Sequence, residues 1–153
     1  MECLNVVSGP TRVPADGAHR WVDHTAELEL ELEAASERGV FEEALAALGG
    51  LLAERAGGEQ ETDTEPARHR VRVSAPDRAT LLAEWLSELV YLAEIEGFVP
   101  TRAERLELTG YALEATVVGR RASPPHLVKA VTYHRLAIWE EAETWRARVI
   151  FDV

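Results

Sequence analysis

The 153-residue sequence has one cysteine, Cys3. A lone cysteine rules out an internal disulfide and any zinc site built on cysteine pairs, and a reducing cytoplasm is the expected location. No basic, apolar and small-residue series of the signal-peptide kind is seen in the first residues, so a leader is not expected. Its longest weakly polar run, Ala44 to Ala53, is broken by Gly49 and Gly50 and spans only half of the roughly 20 residues a membrane helix needs. Basic residues are scarce: 16 Lys and Arg stand against 27 Asp and Glu, a formal net charge of −11. Nucleic-acid binders neutralise phosphates with clustered cations, and only short basic pieces occur here, chiefly Arg68 to Arg72 and Arg120 with Arg121. Direct, tight RNA binding is therefore not expected. The negative field suits capture of a cation or docking on a basic protein, and equally suits solubility alone. There is no nucleophile elbow, Walker loop or dinucleotide fingerprint, and Gly49-Gly50 and Gly57-Gly58 lack the Lys and Ser or Thr of a phosphate loop, so the chain shows no means of binding GTP itself.

The length and a 46% hydrophobic content suffice for one core and not for two. Residues 1–19 contain Gly9, Pro10, Pro14 and Gly17 without sustained period and read as an irregular extension; residues 20–153 read as the domain. Glu27 to Glu33 alternates strictly, which places Leu28, Leu30 and Leu32 on one face of a strand and four glutamates on the other, wet face. Phe41, Ala44, Leu45, Leu48 and Leu52 then recur at helical spacing, closed by Gly57-Gly58. Arg70 to Ala75 is a short second strand. Pro76 and Asp77 start a longer helix whose stripe of Leu81, Leu82, Trp85, Leu86, Leu89, Leu92 and Ala93 ends at Gly97. Four β segments follow: Phe98–Leu108, Tyr111–Gly119, Val128–Trp139 and Thr144–Val153, separated by Gly110, the Ser123-Pro124-Pro125 run and the polar Glu140 to Glu143 turn. The order βαβαββββ predicts a single α+β domain with both helices on one face of a largely antiparallel sheet.

On chemistry alone the candidate site residues have bland alternatives. Glu27 is in phase with Glu29, Glu31 and Glu33 and reads as one of a solvated row. Asp152 and the carboxylate of Val153 put two anionic groups at the end of a strand, hard oxygen donors for calcium, magnesium or manganese, or simply a frayed, hydrated terminus. His134 shares strand phase with Val128, Ala130 and Leu136, the position of a hydrogen-bonded core histidine. His24, beside Asp23, suits a metal ligand, a general base or a turn residue. Lys129 lies on the opposite strand phase, facing a phosphate, a partner's carboxylate or water. The four tryptophans read as packing residues, since none sits in a basic, aromatic-interleaved stretch.

Three blocks together resemble the archease family: Asp23-His24-Thr25-Ala26-Glu27; Trp85-Leu86-Ser87-Glu88-Leu89 through Ile95-Glu96-Gly97-Phe98; and Val128 to His134, followed by Trp145 and the closing Val149-Ile150-Phe151-Asp152-Val153. The resemblance covers residues 20–153. It implies a protein cofactor, not an enzyme, that promotes guanylylation of the RtcB-type tRNA-splicing RNA ligase with GTP and allows multiple turnover. It also implies a divalent cation, calcium first, held by Glu27, Asp152 and Val153, with Asp23, His24, Lys129 and His134 around the site or against the partner. Glu27 stands where the family usually has Asp. The charge is kept and the carboxylate moves out by one methylene, which burdens magnesium more than calcium because magnesium demands near-ideal octahedral geometry. Two rival readings are a small metal-dependent hydrolase using Asp23, His24 and His134, and a general chaperone or interaction module working through its acidic surface.

Overall fold

A computed structural model describes residues 17–24, 26–55, 66–122 and 128–153. Most of the expected extension, the Gly57-Gly58 stop and the Ser123-Pro124-Pro125 run lie outside those residues. The elements are β1 (Ala18–His24), β2 (Glu27–Ala34), α1 (Glu37–Arg55), β3 (Ala67–Ser74), α2 (Arg78–Glu96), β4 (Phe98–Thr109), β5 (Ala112–Arg121), β6 (Ala130–Glu141) and β7 (Thr144–Asp152). The α+β class and the two helices match the expectation, and every strand pair is antiparallel. Strand β1 is an addition: Ala18–His24 lacks clean alternation and pairs along β2 from Ala18↔Glu33 to His24↔Glu27. The strands also divide into two sheets, β1-β2-β7-β6 and β3-β5-β4, where one was expected.

The helices join the two sheets. Helix α1 packs on β4 and β2, and α2 packs on β6, β4 and β3, so one continuous core takes residues from both sheets and both helices. Leu28, Leu30 and Leu32 face it as the alternation requires. Trp85 is fully buried, and its indole N–H donates to the Phe41 carbonyl at 2.9 Å, which ties α2 to α1. Two local signals bound α2. The Asp77 side chain accepts from Thr80 N–H at 2.8 Å, and Gly97, at φ 64°, closes the helix with its N–H on the Leu92 carbonyl. The β6–β7 turn is tighter than its polar composition suggests, with Ala142 and Glu143 both at positive φ.

Candidate functional site

The C-terminal end of β7 lies between β2 and β6, and this decides which residues meet. Glu27 is the cross-strand partner of Asp152, His24 that of Glu27, and Ala130 sits across from Asp152 on the other side. Directly opposed residues in an antiparallel pair project to the same face with Cβ atoms roughly 4.5–5.5 Å apart. His24, Glu27 and Asp152 therefore form one row on the face opposite the helices. The main chain beyond is held in place: Lys129 N–H donates to the Asp152 carbonyl at 2.8 Å and Val153 N–H to the Ala26 carbonyl at 3.2 Å.

The remaining wall comes from an irregularity in β6. Between Thr132 and Ala137 the pairing with β7 slips, so residues 133–136 bulge opposite Val149. The bulge is pinned on both sides of the sheet. Tyr133 Oη donates to Glu84 Oε2 on α2 at 2.9 Å, and the Arg135 carbonyl accepts from Arg148 Nε at 3.0 Å. The bond to the Glu84 carboxylate, followed by burial and the nearby charges, raises the Tyr133 phenol above its ordinary pKa. Arg135 has φ 59°, a left-handed conformation that costs a non-glycine residue roughly 1–2 kcal/mol. This conformation brings His134 and Arg135 over Ile150, and together with His24, Glu27 and Asp152 they line a concavity of about 400 Å³.

Glu29 lies at the base of this wall. It is 5% exposed, which corrects the reading of its row as a wet face. His24 Nε2 donates to Glu29 Oε1 at 3.1 Å and Arg135 Nη1 stands 3.8 Å from the same oxygen. Burial raises the Glu29 pKa, but the His24 hydrogen bond, the Arg135 charge and the neighbouring Glu31 outweigh it, leaving the carboxyl below its ordinary value. The rest of the row is paired as well: Arg20 with Glu31 at 2.6 Å and Arg146 with Glu33 at 3.4 Å.

Of the sequence candidates, the structure thus brings Glu27, Asp152, His24 and His134 together. Val153 follows directly on Asp152. His134 is exposed in the bulge: its phase with Ala130 belongs to the open face, and the slip separates it from Leu136, which packs against the core. Asp23 opposes Leu28, so it belongs to the other face of the sheet from Glu27. Lys129 is exposed and meets the site through its backbone. Glu29 and Arg135 are not legible as site residues in the sequence: alternation cannot tell a covered glutamate from a wet one, and no Gly or Asn marks the left-handed residue.

The donor set suits a hard cation in one respect, since two carboxylates face each other across neighbouring strands. Among the described residues no three His, Cys, Asp or Glu side chains converge as a metal cluster. Glu27 and Asp152 would need oxygens from the main chain or water to complete a shell, which calcium's irregular coordination accepts. Among the described residues no helix is long and apolar enough to cross a membrane.

Comparison with known proteins gives a consistent result. The model of the Archease protein family (MTH1598/TM1083) matches residues 19–153. Protein archease of Methanosarcina acetivorans is 30% identical over 151 residues, covering 92% of this chain and 100% of that protein. Its counterpart in Methanosarcina barkeri is 29% identical over 144 residues, covering 88% and 95%. Among solved structures, Methanobacterium thermoautotrophicum protein 1598 superposes with a TM-score of 0.63 at 24% identity, covering 88% of this chain and 98% of that one. A Thermotoga maritima structure described as an archease, possible chaperone, gives 0.59 at 20% identity, covering 95% and 100%; at these identities both likenesses speak for the fold. With the family model matching residues 19–153 and a relative 30% identical over its whole length, the chain belongs to the Archease protein family.

Proposed function

We propose that this chain is a non-catalytic, metal-binding activator of an RNA ligase of the RtcB type, promoting ligase guanylylation with GTP and multiple turnover. The observation that carries the reading is the cross-strand pairing of Glu27 with Asp152 in a concavity rimmed by His24, His134 and Arg135. A divalent cation, calcium first, would be held by Glu27, Asp152 and Val153, and would present positive charge to phosphate oxygens of the partner's reaction. The protein's own residues prepare that site. His24 and Arg135 compensate the buried Glu29, so Glu27 and Asp152 remain the carboxylates that line the open concavity. The two histidines and Arg135 offer the rim to a protein surface.

A second reading, a chaperone or interaction module without a functional metal, is favoured by the lack of a three-side-chain metal cluster among the described residues. One assay separates the two: single- and multiple-turnover ligation by the cognate ligase with GTP and metal, with this chain, with Asp152→Ala and with neither. Stimulation by the wild type and none by the variant supports the activator. Equal stimulation by both favours the module, and no stimulation by either removes the ligase as partner.

A further inference from the structure

We propose that the solvent face of the β3-β5-β4 sheet, centred on Arg70, Thr116 and Arg105, binds the phosphate backbone of single-stranded RNA. The alternation of these strands sends Val71, Ala115 and Leu106 into the core and leaves the intervening residues on the open face. The register then builds rows across three strands. Arg68, Val118 and Arg102 form one; Arg70, Thr116 and Arg105 the next; Arg72, Glu114 and Glu107 the third. Rows two residues apart are separated by roughly 6.5–7 Å along the strands, a spacing on the scale of successive phosphates in an extended nucleotide chain.

Five arginines face three glutamates on this surface, so it is locally cationic in a chain whose net charge is −11. Arg68 pairs with Glu104 at 2.8 Å, Arg72 pairs with Glu114, and Arg105 lies 3.4 Å from Glu107. The side chains of Arg72 and Arg105 stay 76% and 72% exposed, which leaves donors free toward solvent. Arg70 has no ion pair among the described residues, and its row contains no carboxylate at all. The second and third rows line a broad concavity. Guanidinium forks suit phosphate oxygens bidentately, and the Thr116 hydroxyl between two of them adds a donor.

The chemistry of the face favours a polyanion over a protein. Protein-docking patches need an apolar centre, whereas none of the exposed large hydrophobics lies within these three strands. Tyr111, 69% exposed, sits in the turn between β4 and β5, where a base leaving the row could stack. The acidic remainder of the molecule acts only at short range, because physiological salt screens charges beyond roughly 8 Å. Binding should therefore be weak and strongly salt-dependent, in the ~10⁻⁴–10⁻⁶ M range of non-specific contacts. This is compatible with the expectation, drawn from the charge balance, that RNA is not bound tightly.

The inference does not depend on the ligase reading and is tested on the chain alone. Fluorescence anisotropy of a labelled single-stranded oligoribonucleotide would be measured at several salt concentrations for the wild type, Arg70→Gln/Arg105→Gln, and an Arg20→Gln/Arg38→Gln control of equal charge change. Arg20 and Arg38 pair with Glu31 and Glu42 away from this face. Loss of two phosphate contacts should weaken binding roughly 10- to 30-fold at about 0.1 M salt and flatten the log–log salt slope by roughly 1 to 1.5. Restoration by Arg70→Lys/Arg105→Lys would support a charge contact. The proposal is overturned if the wild type fails to bind, if the control loses as much, or if polyglutamate binds more tightly than the RNA.

Discussion

Replacing Glu29 by Gln tests whether the wall of the site rests on an ionised, buried carboxylate. The change keeps shape and one acceptor oxygen while removing the charge. In the wild type His24 donates to Glu29 Oε1 at 3.1 Å, a charge-assisted bond worth roughly 1.5–3 kcal/mol against roughly 0.5–1.5 for a neutral one. The Arg135 contact at 3.8 Å adds little, because its side chain is 50% exposed and rehydrates when the charge is lost. Burying a neutral amide costs less than burying a carboxylate, which offsets part of the loss. The lowered pKa of Glu29 says which side wins: the folded environment prefers the charged form, so neutralising it destabilises. A net loss of about 1 kcal/mol is expected at neutral pH, or roughly 2–4 °C in Tm for a domain of this size. The pH dependence carries its own sign. A carboxyl whose folded pKa is depressed contributes fully above its unfolded value and loses that contribution as pH falls through the lower folded value. Denaturation by urea across this range should therefore show the wild type ahead at neutral pH, with the gap closing in acid below the ordinary carboxylate range. A glutamine variant equal to or more stable than wild type at neutral pH would refute the reasoning, because burial would then outweigh His24 and Arg135.

Four further outcomes follow from local geometry. A Cβ on Gly49 would stand 2.1 Å from the Pro100 carbonyl oxygen, so Gly49→Ala should destabilise by about 1–3 kcal/mol although helix propensity alone predicts a gain. Gly50, with nothing within 4 Å of the same position, should instead gain about 0.5–1 kcal/mol on mutation to Ala; chemical denaturation of both variants checks the opposite signs. Asp77→Ala removes the cap on Thr80 N–H and should cost about 1 kcal/mol, read as a lower urea midpoint with unchanged slope. Glu143→Gly relieves a φ of 64° in the β6–β7 turn and should stabilise by up to roughly 1 kcal/mol in thermal melts.

Much of this molecule follows from sequence periodicity. The alternation of Glu27 to Glu33, the helical stripe between Asp77 and Gly97, and the late run of β segments each encode an element locally, because the apolar spacing of a strand or helix is set by its own geometry. The resemblance of the Asp23–Glu27 block and the closing residues singles out Glu27 and Asp152, which the fold pairs across β2 and β7. Which strands become neighbours is a different matter. Placing β7 between β2 and β6 joins residues 27 and 152, and nothing local to either segment specifies that. The depth of Glu29, the exposure of His134 and the left-handed Arg135 depend on a slip in register between two strands, where tertiary contacts to Glu84 and Arg148 hold a backbone that its own residues would not choose. The arginines of Arg68 to Arg72 are visible as a short basic piece, but their alignment with Arg102 and Arg105 exists only once β5 lies between them. Local physics thus determined most of the elements and the apolar face of each. The packing of distant segments decided which charges share a surface.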